Sequence, residues 1–353
     1  MSFQQVRNVS IRGVSACVPP LIVENKDIKI YKPGEAEEII KSTGIERRHV
    51  VSDGIVASDL CLKACNELLS QLNWSKESIN AICFVTETPD YINHPTGFVL
   101  HEKLGLSEDC VVMDLFHGCP GWVMGLLAVS SMMQNGMMKR VLLLVGDSTT
   151  TWTYATDRES QPLSGDCGTA TALEYDETAH PMSFNLGTRS NDGISIARTK
   201  GGERNPWTIE TLSQEMKLRS GEIDVKGIAD TMDGMNVFSF GITVPPKSIK
   251  KLCEFANLDL QTVDKIVLHQ ANKFIIQQIT KKLKVDADKV PTSLRDYGNT
   301  TSASIPLTLC SQCREAYIND KMRTIACTFG TGLSWGTVYF ETKNIVCPEV
   351  ITY

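Results

Sequence analysis

Three pairs of positions constrain this chain's fold more tightly than its composition does. Cys83 with Val267, Cys119 with Thr301, and Leu143 with Ala326 are each separated by roughly 183 residues, and a repeated offset of this kind marks a duplication. In the first half a buried strand over 81–85 leads to a helix after His94-Pro95. An apolar run over 110–115 then turns at Gly118 into a long helix, followed by strands over 140–146 and 168–174. In the second half a helix over 246–255 precedes a strand over 265–269 and a helix over 272–283. A short strand near Val290, a helix over 302–318 and strands over 324–328 and 336–341 complete the order. The strands are apolar on both faces, which predicts α/β layers with covered sheets. The halves divide at 1–178 and 179–353. Two like halves meeting face to face bring their equivalent loops to one central site.

The strongest chemical signal lies at one of those loops. In Asp114-Leu-Phe-His-Gly-Cys119-Pro-Gly-Trp-Val a thiol stands between a strand and a helix. Pro120 follows it, the residue best tolerated in a first helical turn. Val123, Leu126, Leu127, Val129, Met132 and Met133 recur at helical intervals up to Asn135-Gly136. The positive end of the helix dipole and free N–H groups at that position predict a lowered thiol pKa and a nucleophile. Free cysteine is also among the most buried residue types, so this context alone fits a structural thiol equally well. Three further features fall at convergent loop ends: His269 after its strand, Asn299 in Gly298-Asn-Thr-Thr-Ser-Ala-Ser304, and the glycines of Phe329-Gly-Thr-Gly332. A thiolate, an imidazole, a carboxamide and closely approaching backbone N–H groups suit acyl transfer, in which donors hold a developing oxyanion.

Composition excludes several other classes. A net charge of −6 without a dense basic run argues against a nucleic-acid binder. No apolar run reaches the roughly 18 to 20 residues of a membrane span. The twelve cysteines are scattered, mostly within apolar runs, and no secretory leader precedes them, so reduced thiols and a cytoplasmic location are expected. Cys310-Ser-Gln-Cys313 has metal-type spacing but no second pair, and no metal site is expected.

The Cys119 stretch, Thr43-Gly-Ile-Glu-Arg-Arg, Val145-Gly-Asp, Ser164-Gly-Asp-Cys-Gly168, His269-Gln-Ala-Asn272, Tyr297-Gly-Asn-Thr and Phe329-Gly-Thr-Gly-Leu-Ser-Trp-Gly336 closely resemble the β-ketoacyl-acyl carrier protein synthase III group of the thiolase superfamily. They run in order over nearly the whole chain. The resemblance implies a duplicated, five-layered α-β-α-β-α thiolase fold and a homodimer. It implies a condensing enzyme, with Cys119 as the acylated nucleophile and His269 and Asn299 promoting decarboxylation of a malonyl thioester. It places the oxyanion hole at the amides of Cys119 and Gly332, a pantetheine contact at Asn272 and the tunnel wall at Phe238. No cofactor is implied beyond acyl-CoA or acyl carrier protein thioesters as substrates, and the setting is fatty acid biosynthesis or secondary metabolism.

Four positions depart from the family pattern. Glu38 stands where the family's tryptophan stacks on the adenine of coenzyme A, while Arg158 matches the arginine on the other side of that base. Phe274 stands where an arginine helps dock the carrier protein, with Lys273 beside it. His94 replaces the apolar residue that the partner subunit inserts into the acyl pocket. It would be a base or a polar acyl-binding group, or simply a surface residue. Glu87 resembles the general base of hydroxymethylglutaryl-CoA synthases. A carboxylate there would deprotonate an acceptor in place of decarboxylation; in a further alternative the Cys-bound acyl group passes to a hydroxyl or amine with His269 as the base. Thiolysis is disfavoured, since Thr328 occupies the second-cysteine position and Cys327 points to the opposite strand face. An intact Cys119, His269 and Asn299 speak against a silent partner subunit. The segment from about 181 to 233 is expected to carry cap and tunnel contacts, with Met232 and Met235 near the acyl tunnel or in simple core.

Overall fold

The computed structural model describes residues 2–153, 158, 160–190, 194–210, 216–217, 223–224 and 231–353. Much of the expected cap segment, at 191–193, 211–215, 218–222 and 225–230, therefore lies outside the described residues.

Two main sheets carry the architecture, and labels here number only their strands and the helices packed on them. The strands are β1 (Ser2–Val6), β2 (Val9–Val18), β3 (Ala81–Thr86), β4 (Val111–Phe116), β5 (Arg140–Asp147) and β6 (Cys167–Tyr175). They continue with β7 (Met182–Thr188), β8 (Lys265–Leu268), β9 (Lys321–Gly330), β10 (Ser334–Lys343) and β11 (Ile351–Thr352). One sheet has the order β11-β2-β6-β5-β3-β4 and the other β1-β7-β10-β9-β8. Four strands repeat the same pairing in each. β2·β6 and β6·β5 are antiparallel and β5·β3 parallel; β7·β10 and β10·β9 are antiparallel and β9·β8 parallel. The repeat holds at single-residue register, because Cys83 faces Leu143 and Val267 faces Ala326. The outermost strands are exchanged. The C-terminal β11 completes the first-half sheet and the N-terminal β1 the second.

Helices fill the layers around the sheets: α1 (Glu35–Thr43), α2 (Ala57–Leu72), α3 (Thr96–Leu104), α4 (Gly121–Met133), α5 (Gly234–Ala256), α6 (Lys273–Leu283) and α7 (Ser304–Gln312). α4 and α7 lie between the sheets. Seven consecutive residues of α7, Ser304 to Cys310, are buried, as are Trp122, Val123, Leu126, Val129 and Met133 of α4. A helix apolar on so much of its circumference is stable only when covered all round. Strand alternation divides the core. On β5, Val141, Leu143 and Val145 face the central layer, whereas Leu142 and Leu144 face α2 and α3. On β9, Ala326 faces inward, whereas Ile325 and Cys327 pack outward with the α5 and α6 residues Leu252, Ile275 and Ile279. The layers run α2/α3, sheet, α4/α7, sheet, α5/α6, the five-layered thiolase fold.

Four elements differ from the sequence reading; the first is α5, expected over 246–255, which begins at Gly234 and runs through Pro245 and Pro246. The polar, acidic stretch before Thr43 contains α1, stabilised by Glu35, Glu37 and Glu38 at its positive end and stopped at Gly44 with φ 77°. Near Val290 there is a 3-10 turn, Ala287–Lys289, and no strand of the second sheet; Val290 instead packs in the outer α5/α6 layer. The helix expected over 302–318 breaks at Cys313 into α7 and a short helix, Arg314–Asn319.

Candidate active site

Cys119 follows the strand–turn β4-His117-Gly118 and directly precedes α4, whose N-cap is Pro120. Its thiol is almost fully covered, at 8% exposure. The nearby backbone N–H groups of Thr331 and of Cys119 itself favour negative charge on the sulfur. The strand end of β9 comes close enough that a Cβ on Gly330 would lie 2.8 Å from Cys119 Cβ and 2.9 Å from Sγ, which only glycine permits. On the other side, a Cβ on Gly118 would lie 2.4 Å from Glu87 Oε2 and 2.9 Å from Thr331 Oγ1.

The expected lowering of the Cys119 pKa is not what the surroundings produce. Burial pushes the thiol up, and the negative charges of Glu87 and Asp147 push it further; the two N–H groups oppose them only in part. Desolvation of a full charge outweighs the partial charge of a helix end. At neutral pH the resting sulfur carries its proton.

His269 leaves β8 with its ring 2% exposed and its N–H bonded to Cys327 O at 2.9 Å. Nδ1 lies 2.9 Å from Ser304 Oγ at the start of α7, and the ring meets Phe329 edge-on at 5.4 Å. Burial lowers its pKa to about 4, so the imidazole is neutral at physiological pH. Asn299 is held by its backbone: its N–H donates to Leu163 O at 2.8 Å and its carbonyl accepts from Gly165 N at 3.0 Å. Asn299 Oδ1 accepts from Thr301 N at 3.0 Å, which leaves Nδ2 as the group free to donate to a ligand. The loop residues Leu163 to Asp166 are fixed in turn. The buried Arg48 donates to Ser164 O at 2.8 Å and to Asn25 Oδ1 at 2.9 Å. Asp166 accepts from Val51 N, Thr150 N and Thr150 Oγ1, with its pKa raised by burial to about 6.

Gly330 thus lies against Cys119, and Glu87 and Thr331 lie against the preceding Gly118. His269 joins them through Phe329 and Ser304, and Asn299 through the turn Thr301–Ala303, whose Ser302 packs against the start of α4. Gly332 lies in the β9–β10 turn, closed by Ser334 Oγ donating to Thr331 O at 2.7 Å. Asn272 caps α6, its side chain accepting from Ile275 N at 2.9 Å. The remaining positions stand further out. Phe238 on α5 stacks on Phe274 at 5.7 Å, with the exposed Met232 and Met235 nearby in sequence. His94 is exposed, with φ 87°, and lies 5.8 Å from the Phe98 ring. Arg158 is engaged by α1: its guanidinium binds Glu35 and Ile30 O and lies over the Tyr31 ring at 5.2 Å, while its carbonyl accepts from Tyr31 Oη. The neighbouring Thr156 and Asp157 lie outside the described residues. Asp147, Asp166, Arg48 and Ser304 had no role assigned from sequence. All four stand in the motifs of the sequence: Asp147 and Asp166 directly after a glycine, Arg48 at the end of Thr43-Gly-Ile-Glu-Arg-Arg and Ser304 at the end of Gly298-Asn-Thr-Thr-Ser-Ala-Ser304.

All twelve cysteines are buried free thiols, and among the described residues no three His, Cys, Asp or Glu side chains cluster as metal ligands. Among the same residues no helix is long and apolar enough to cross a membrane.

Comparison with known proteins gives one family. Residues 113–190 match the 3-oxoacyl-[acyl-carrier-protein] synthase III model, and residues 253–342 match the model of its C-terminal region. A putative 3-oxoacyl-[acyl-carrier-protein] synthase 3 of Campylobacter jejuni is 30% identical over 94% of this chain and 90% of its own length. A beta-ketoacyl-[acyl-carrier-protein] synthase III of Trichodesmium erythraeum is 30% identical over 94% and 98%. The crystal structure of a 3-oxoacyl-(acyl-carrier protein) synthase from Burkholderia xenovorans superposes with a TM-score of 0.92 at 30% identity, covering 100% of this chain and 99% of that one.

Proposed function

The chain belongs to the 3-oxoacyl-[acyl-carrier-protein] synthase III family, and we propose that it performs the family's condensation with Cys119, His269 and Asn299 as its catalytic residues. It is an acyltransferase that joins an acyl group to a malonyl thioester with loss of CO2. In the first half-reaction the Cys119 sulfur attacks the donor's carbonyl carbon, an S–C bond forms, and the pantetheine thiol leaves with the proton that Cys119 gives up. In the second, the malonyl C–CO2 bond breaks and its electron pair becomes an enolate. Neutral His269 and Asn299 Nδ2 stabilise the enolate oxygen as donors. The enolate carbon attacks the acyl carbonyl, whose oxyanion is held by the amides of Cys119 and Gly332, and Cys119 leaves as a thiolate that takes up a proton from water as the β-ketoacyl thioester forms.

The observation that carries this reading is the pairing of an uncharged, buried imidazole with a carboxamide whose oxygen is already bonded, so that a donor is left for the enolate. Incubation with acyl and malonyl thioesters, followed by intact-mass spectrometry, tests it. The expected result is an acyl adduct absent from Cys119→Ala, formed by His269→Ala and Asn299→Ala, but discharged slowly by malonyl thioester in those two variants. An adduct discharged by amines or alcohols and untouched by malonyl thioester would overturn it. Glu87 beside the nucleophile favours that second reading, since a carboxylate there accepts a proton from a hydroxyl or amine. Glu87→Gln leaves malonyl condensation intact on the first reading and abolishes turnover on the second.

A carrier protein is the proposed acyl donor. A nucleotide clamp needs a free guanidinium, and Arg158 is tied to Glu35. The adjoining cleft is lined by Tyr31, Glu35, Glu38, Ile39, Ser42 and Arg158, and its carboxylates repel the phosphates of coenzyme A. On the other flank of α1, a groove of about 680 Å³ bears Lys41, Lys273 and Lys281, which suit an acidic protein. Asn272 is assigned to the pantetheine arm and Phe238, on Phe274, to the tunnel mouth. No cofactor is required beyond the thioesters. A homodimer is supported by the edge strand β4, with Val111 and Phe116 exposed, and by the exposed Tyr91, Ile92 and Phe98 beside it; His94 would lie at that interface. Twelve free thiols suit the reducing cytoplasm. A division at 178/179, between β6 and β7, separates the duplicated units.

A further inference from the structure

The central layer contains two related helix starts, and only one carries a nucleophile. α4 begins behind Cys119 and α7 behind the turn Thr301–Ala303. At the first, Gly330 at the end of β9 lies against the sulfur. The offset that relates Leu143 to Ala326 carries Gly330 back onto Asp147, the last residue of β5. Asp147 meets the start of α7 as Gly330 meets Cys119, but it brings a carboxylate of its own.

That carboxylate is fully buried and its donors come from both halves of the chain. Oδ1 accepts from Thr86 Oγ1 at 3.0 Å and Glu87 N at 2.8 Å. Oδ2 accepts from Thr301 Oγ1 at 2.8 Å, from Ser302 N at 3.2 Å and from Ser302 Oγ. Among the described residues no Lys or Arg forms an ion pair with it, so hydrogen bonds alone compensate its burial. Thr301, held by its hydroxyl, gives its own N–H to Asn299 Oδ1. Glu87, held by its N–H, places its carboxylate against Gly118 beside the nucleophile.

We propose that Asp147 is a positioning residue of the condensing site: its carboxylate fills the second anion position of the duplicated fold and, through Thr301, sets the orientation in which Asn299 presents Nδ2. The inference rests on Asn299 acting on the malonyl enolate. An aspartate is required because the five groups around it all donate. An asparagine keeps one acceptor and turns an NH2 group on the backbone N–H of either Glu87 or Ser302, neither of which can accept.

The test separates the two half-reactions in the full-length protein. Cys119 acylation by an acyl thioester is followed by intact mass, and decarboxylation of malonyl thioester by CO2 release, in Asp147→Asn, Asn299→Ala and the double variant. Decarboxylation by Asp147→Asn should fall on the order of 10²-fold, the size of losing one oriented donor. Acylation should not fall, since the substitution removes a negative charge that pushes the Cys119 thiol up, and the double variant should be no slower than Asn299→Ala, because residues linked in one hydrogen-bond network are not additive. Equal loss in both half-reactions, or a double variant slower by the product of the single effects, would overturn the proposal. An Asn299→Ala protein that decarboxylates normally would instead remove the role given to Asn299. Where Asp147→Asn does not fold, Thr301→Val deletes a single hydroxyl and makes the same comparison, with a decarboxylation loss of roughly tenfold expected.

Discussion

Gly330→Ala is the sharpest test of how Cys119 is built. The added methyl would sit 2.8 Å from Cys119 Cβ and 2.9 Å from Sγ. Ordinary carbon contacts begin at about 3.5 Å, so the sulfur or the β9 end must retreat by roughly 0.6 Å or more. Either movement separates Sγ from the Thr331 N–H, because Thr331 is the next residue along the displaced strand. A displacement approaching 1 Å at reacting atoms costs about 10²-fold, while overpacking costs about 1–3 kcal/mol of stability. The expected variant is therefore folded, slightly less stable, and about a hundredfold slower to acylate in single-turnover mass spectrometry. Gly336→Ala supplies the control. Its methyl would meet Val123 at 2.8 and 3.0 Å, so it makes a comparable clash against α4 without touching the sulfur. Acylation within threefold of the parent in Gly330→Ala, or an equal loss in the two variants, would refute the reasoning.

Three further outcomes follow from the same structure. His269 has a folded pKa of about 4 against an unfolded value near 6.5, so between those values the unfolded state binds more protons and stability falls as pH falls; the loss reaches about 3 kcal/mol. Chemical denaturation of the parent and of His269→Gln at pH 7 and pH 5 should show this slope only in the parent, and equal slopes would contradict a buried neutral imidazole. Glu35→Gln with Glu38→Trp frees Arg158 and restores a stacking partner, so KM for acyl-CoA should fall at least tenfold while KM for acyl carrier protein thioesters stays level. Phe116→Asp puts a charge on a residue 77% exposed at the end of the β4 edge strand, and light scattering is expected to report a dimer for the parent and a monomer for the variant, with a dimer in both counting against that edge as the interface.

The fold was legible because its signals are local or repeated. Strands such as Ala81–Thr86, buried at every residue, print as continuous apolar runs, and the duplication fixed their order before any contact was known. α1 carries Ala36, Ile39 and Ile40 at helical spacing, but the stripe is short, set among acidic residues and fully buried only at Ala36, so it reads as a polar stretch. Val290 read as a strand because it is apolar and buried, but burial in the α5/α6 layer gives the same letter without any ladder. The site was legible in residue type and less so in electrostatics. The helix-start rule predicted a lowered pKa for Cys119, whereas a fully covered sulfur with Glu87 and Asp147 nearby is pushed the other way.

What the sequence could not display were partners far apart along the chain. Asp147 binds Thr301 across 154 residues and Thr86 across 61, and no periodicity reports a hydrogen bond of that span. The repeat itself holds the missing clue. Once Asp147 is seen to stand where the other half has Gly330, the asymmetry between them becomes chemical. Glycine leaves the α4 start open beside the thiol, while aspartate fills the α7 start with a buried, hydrogen-bonded carboxyl group. Duplication made two related helix starts, and the residue at the end of the adjoining strand distinguishes them: glycine against Cys119, aspartate bonded to Thr301.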